Sequence, residues 1–186
     1  MSSTLESKQD KNTMDVEERR GFYEKLYFHE LEVRDKIEGR LKLPMASFVI
    51  TSGMAVYLYN SLLNTCLGAD NNLLSGLYLG GLLFLAISIY FFIRAWFGYT
   101  YKMIPDTVSL ENYYQEILEK YSKASPSDAI DWTSEAFSEY LLTTFRDYSA
   151  HNTVNNDKKA HYLHRSISTV LLSFLLYVSC YYPYYQ

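Results

Sequence analysis

The sequence predicts an all-α integral membrane protein with three transmembrane helices and a cytosolic helical layer. Two uncharged runs predict it first: Asn71 to Ile93, 23 residues without an Asp, Glu, Lys or Arg, and Leu43 to Ala69, another 27. At about 1.5 Å of helical rise per residue, each run is long enough for the roughly 30 Å hydrocarbon core of a bilayer. The core of the later run, LYLGGLLFLAISIYFFI, is apolar on every face, which a soluble amphipathic helix is not. The chain also holds 19 tyrosines, whose amphipathic rings suit membrane–water interfaces. The mean hydropathy of -0.15 hides this pattern, because it averages the apolar runs with densely charged segments.

In chain order, residues 1–13 are polar and read as a disordered tail. A cytosolic amphipathic helix follows over 14–42, with Asp15 as cap and Glu18 three residues on. Asp15/Arg19, Glu30/Arg34, Glu32/Lys36 and Glu38/Lys42 are acid-to-base pairs four apart, each contributing a few tenths of a kcal/mol. Phe22, Leu26, Val33, Ile37 and Leu41 form a stripe that needs a partner. Pro44 marks a fresh start, tolerated in the first helical turn. Residues 43–97 form a transmembrane hairpin of spans one and two, turning at Gly68–Asn72. Residues 98–165 return to the cytosol as a helical segment. It holds a short helix over 107–123, a break at Ser125-Pro126-Ser127, and a long helix with no breaker before Pro183. That helix continues as the third span, 166–182, ahead of an outer tail, 183–186. No signal peptide opens the sequence, so insertion is expected to be directed by the internal spans.

All 17 basic residues lie in the N-terminal segment or between 94 and 165. The positive-inside rule then places the N-terminus in the cytoplasm and the C-terminus outside. Cys66 and Cys180 fall at the outer ends of spans one and three, where they are either two buried thiols or a disulfide. The formal charge of -4 gives no general attraction to nucleic acid, so membrane lipid and further copies of the chain are the expected partners.

Several polar groups stand out. Gly76 and Gly80 make a GxxxG, with Gly81 adjacent, which allows close helix packing. Gly53, Tyr57, Asn60 and Asn64 recur at helical spacing on span one, as do Ser166, Thr169, Ser173, Tyr177 and Cys180 on span three. Such residues are costly against lipid, so they are expected to bond between helices or to line an oligomeric pore. Between Arg146 and Arg165 lie three of the four histidines and a group of asparagines, expected to satisfy one another across packed helices. Their protonation near neutral pH would suit a gate. Asp157, His161 and His164 share a helical face but offer no evident fourth metal ligand. No phosphate-binding loop, dinucleotide fingerprint or hydrolase motif is present, and no cofactor is expected.

Arg146-x4-His151 fits the R-x4–6-H pattern of HEPN nucleases, in which guanidinium holds phosphate and imidazole moves protons. With LYFHELEVRDKIEGRLKLP before the hairpin and HNTVNNDKKAHYLHRS before the last span, the chain resembles small bacterial multi-span proteins of antiphage defence. Within these it is similar to the membrane accessory protein of type VI-B CRISPR systems, which carries a divergent HEPN motif. The resemblance implies a homo-oligomeric pore in the bacterial inner membrane that acts in antiviral defence, with Arg146 and His151 as motif positions and a cytosolic defence protein as a possible partner. Two alternatives stand beside a pore gated through the cytosolic helices. One is a membrane-tethered HEPN-like ribonuclease using Arg146 and His151. The other is a non-catalytic scaffold that recruits a cytosolic partner through the 14–42 helix.

Overall fold

The computed structural model describes residues 14–65 and 72–184, which form five α-helices and, among the described residues, no strand. These are α1 (Val16–Arg40), α2 (Lys42–Thr65), α3 (Asn72–Trp96), α4 (Thr107–Ala124) and α5 (Ala129–Tyr184). Three helices are long and apolar enough to cross a membrane, one of them including α2, the others α3 and α5. The expected tail at 1–13, the tip of the hairpin, Cys66 and residues 185–186 lie outside the described residues.

Local chemistry sets the helix ends. Only Leu41 separates α1 from α2. Pro44 has no N–H to offer the carbonyl of Arg40, four residues back, and its ring crowds that carbonyl. The break therefore falls three residues before the proline, which sits in the first turn of α2, where N–H groups lack intrahelical partners anyway. α3 ends where Gly98 takes a φ of +93°, a left-handed conformation open mainly to glycine. α4 opens on Asp106, whose carboxylate accepts a hydrogen bond from the Ser109 N–H at 2.6 Å. The turn into α5 is fixed by Asp128, whose carboxylate accepts from the hydroxyls of Ser125 (2.8 Å) and Ser127 (3.1 Å).

The chain divides into two compact units, residues 1–32 with 101–154, and residues 33–100 with 155–186. In the first, α4 packs on α5 through rings. Tyr113 lies 4.4 Å from Tyr140, Tyr114 meets Phe137 edge-on and Tyr121 meets Trp132 edge-on. α1 joins α5 through Tyr27 against Phe145, and through the Ser138 hydroxyl, which donates to Glu17 at 3.0 Å and accepts from Arg20 at 3.3 Å.

The second unit holds the end of α1, all of α2 and α3, and the later part of α5. Two apolar clusters form its core. One is Ala55, Leu58, Leu74, Tyr177 and Cys180; the other is Ile37, Leu41, Ala95 and Leu163. Hydroxyls join the helices as well. Ser88 Oγ donates to the Ser166 carbonyl at 2.7 Å and Ser166 Oγ to the Ser88 carbonyl at 3.0 Å, while Ser173 Oγ donates to the Gly81 carbonyl at 2.8 Å. Large apolar side chains face outward instead: Val49 is 74% exposed, Leu83 61% and Leu175 59%. Small and hydroxylated residues inside with aliphatic residues outside is the pattern of helices packed in lipid.

Burial along α5 has a strict rhythm. From Ser138 to Cys180, Thr144 apart, buried residues follow one another at alternating steps of four and three. That is a period of 3.5, the spacing of helices that wrap left-handedly. α3 keeps the same rhythm through Leu74, Gly81, Leu85, Ser88 and Ala95. The seam of α5 is largely polar: Ser149, Asn152, Asn156, Lys159, Ser166 and Ser173 all lie on it.

Candidate functional site

The polar residues singled out by sequence come to rest in three environments. On α5, Ser166, Ser173 and Tyr177 are fully buried between helices, and Cys180 lies beside Tyr177. Thr169 is off the seam, half-buried, and returns its hydroxyl to the Arg165 carbonyl at 2.8 Å within its own helix. On α2, Gly53, Tyr57 and Asn60 face away from the unit's core, with Tyr57 51% exposed. The Asn64 side chain lies outside the described residues.

The three glycines of α3 also separate. A Cβ on Gly81 would run into the Tyr177 ring, so at this glycine α3 and α5 pack too closely for a side chain. One on Gly80 would make ordinary contact with Leu176 at 3.5 Å, and one on Gly76 would meet nothing within 4 Å. The tight packing is thus at Gly81, while Gly76 leaves an open outward face.

Arg146 is exposed and paired with its neighbour Asp147 at 2.9 Å, whereas His151 is half-buried. Both lie on α5, and five residues of helix put them about 140° apart around its axis. Asp157, His161 and His164 are exposed, and no group of three metal-ligating side chains gathers among the described residues.

Two asparagines of α5, Asn152 and Asn155, reach backbone. The Asn152 amide accepts from the Lys102 N–H and donates to the Lys102 carbonyl, both at 3.0 Å, so it pairs with that residue as a second strand would. In the same unit, the Tyr27 hydroxyl accepts from the Ile104 N–H at 3.2 Å. In the second unit, Asn155 donates to the Thr100 carbonyl at 2.9 Å. Four backbone groups of the connection from α3 to α4 are thereby satisfied without a helix or sheet. Lys159, 5% exposed at its side chain, pairs with Glu38 at 3.0 Å, so Glu38 turns to α5 and not to Lys42, which falls in the next helix, α2.

Beside Asn155 is a polar cavity of about 320 Å³ at the C-terminal end of α3, lined by Arg94, Phe97, Gly98, Tyr99, Asn155, Lys158 and Tyr162. The Arg94 guanidinium lies 5.3 Å from the centre of the Tyr162 ring and donates a long hydrogen bond, 3.5 Å, to its hydroxyl. Burial, then the neighbouring Tyr162, pushes the Tyr99 phenol above its ordinary value, with Arg94 pulling the other way. Tyr99 is therefore a neutral hydroxyl across the physiological range. The sequence alone did not single out Arg94, Tyr99, Lys158 or Tyr162 as one site. The missing signal was Gly98, whose turn brings the segment after α3 against α5.

No family model, curated protein or solved structure matches this chain.

Proposed function

We propose that the chain is a membrane protein that assembles with copies of itself through the outward face of α2 and forms a pore between subunits. One observation carries this reading. Tyr57 and Asn60 point away from the core on a helix whose outward face is otherwise mostly apolar, with Met45, Val49, Ile50 and Val56 on it beside the smaller polar Ser52. Leaving an amide unbonded in hydrocarbon costs several kcal/mol, so Asn60 requires a protein or water partner. A neighbouring copy or a water-filled path supplies one. The three-helix interior is filled by Tyr177, Gly81, Ser88, Ser166 and Ser173, so an aqueous path runs between subunits and not through one of them.

The distribution of basic residues supports a cytoplasmic N-terminus and an outer C-terminus. The setting proposed here, antiviral defence at a bacterial inner membrane with gating by the cytosolic helices, rests on the resemblance of the juxtamembrane stretches. The test is conductance across a planar bilayer containing the purified protein. Wild-type protein is expected to conduct, and Tyr57→Leu with Asn60→Leu to reduce conductance at least tenfold at equal incorporation. A wild-type protein that inserts but never conducts would refute the pore. The scaffold reading has its own support in Phe22 and Phe28, 53% and 54% exposed on the cytosolic part of α1, and would then take first place.

A further inference from the structure

The cavity at the C-terminal end of α3 gathers two cations and two phenols around one space. Arg94 and Lys158 both line it, and neither has a carboxylate partner among the described residues. No carboxylate lines the cavity either. Tyr99 and Tyr162 add hydroxyls, and Phe97 at its rim is 67% exposed. The end of α3 contributes a negative dipole charge of about one half, which two full cations outweigh. A guanidinium and an ammonium flanked by hydroxyl donors match the oxygens of a phosphate. The exposed ring of Phe97, with its exposed chain neighbour Trp96, belongs at the level of lipid headgroups.

We infer that this cavity binds the phosphate of an anionic phospholipid headgroup in the leaflet that receives the C-terminal end of α3. The inference rests on the membrane reading above. Basic pockets between spanning helices on the cytoplasmic side have this chemistry, and each cation near such a surface contributes about a factor of five in affinity.

The experiment uses the full chain in detergent, with phosphatidylglycerol and phosphatidylcholine competing for it and bound lipid counted by native mass spectrometry. Wild-type protein should retain phosphatidylglycerol in preference. Arg94→Gln with Lys158→Gln should lower that preference roughly thirtyfold, while Arg94→Lys with Lys158→Arg keeps most of it. Lys25→Gln with Lys120→Gln, equal in charge but on the first unit, should leave it unchanged. An unaltered preference in the Gln pair, or an equal loss in the control pair, overturns the site. Inorganic phosphate at millimolar concentration should not displace the lipid; if it does, the cavity serves a soluble phosphate and the lipid assignment falls. Flotation with pure phosphatidylcholine vesicles tests membrane association separately. A chain that does not float fails the membrane reading and takes this inference with it.

Discussion

Both α2 and α5 carry polar residues through apolar sequence, and the fold treats the two stripes in opposite ways. On α5, Ser166 and Ser173 fall on the 3.5-residue seam and give their protons to carbonyls of α3. On α2 the seam runs through Thr51, Ala55 and Leu58, which are buried. Asn60, two residues past Leu58, is rotated about 200° from it and faces outward. A polar residue in an apolar helix thus reports its own phase and nothing more. On the seam it joins helices within one chain; off the seam it turns back on its own helix, as Thr169 does, or, in the reading proposed for Asn60, asks for something outside the chain.

The contrast is broken most forcefully at Gly81. Gly81→Val forces a side chain into the Tyr177 ring and is expected to destabilise the unit by about 3 kcal/mol, the upper end for overpacking. Gly76→Val, with open space at its Cβ, should stay within about 0.5 kcal/mol. Reversible unfolding in mixed micelles measures both, and equal losses would mean that α3 presents a different face to α5. Next in size is Asn152→Ala, which strips partners from both backbone groups of Lys102 and should cost about 2 kcal/mol. Hydrogen exchange should rise across 99–106, and protection that persists there would show the segment is held by other contacts.

A smaller effect tests the inward stripe itself. Ser88→Ala and Ser166→Ala each remove one hydroxyl that donates to the other residue's carbonyl, and each should cost about 0.6 kcal/mol, the average for hydrogen bonds between membrane helices. No loss in either variant would mean the reciprocal bonds are not formed. The smallest effect lies outside both stripes. Hydrogen bonds from Ser109 hold the Asp106 carboxyl below its ordinary value, so its contribution to α4 is complete above the unfolded carboxyl value, near pH 4, and is lost as pH falls through the folded one. Exchange of the first-turn amides of α4, corrected for intrinsic rates, should therefore accelerate only in acid, and Asp106→Ala should show fast exchange at every pH.

The helices were legible in the sequence because their signals are local. Uncharged length marks the apolar spans, Ser125-Pro126-Ser127 marks the turn before α5, and the uninterrupted stretch up to Pro183 anticipates a helix of 56 residues. The seam of α5 was less legible, since it alternates apolar residues such as Leu163 and Val170 with Asn and Ser. Grouping by polarity therefore picked Thr169 over its neighbour Val170, the seam residue. The asparagines were expected to bond one another; Asn152 and Asn155 also reach the backbone of Lys102 and Thr100, because a side-chain amide matches a peptide group and the non-helical stretch 100–104 offers several. The cavity beside Arg94 was invisible because it depends on a single positive φ at Gly98, which brings residues from distant parts of the chain to one place.

The most direct test of the outward stripe is oxidative crosslinking in membranes, in a chain carrying Cys66→Ala and Cys180→Ala. Cysteine at Asn60, on the proposed contact face, should form disulfide-linked dimers of the chain. Cysteine at Leu83, 61% exposed on α3, should remain monomeric under the same oxidant. A monomeric Asn60→Cys chain, or equal crosslinking at the two positions, would contradict assembly through the polar face of α2.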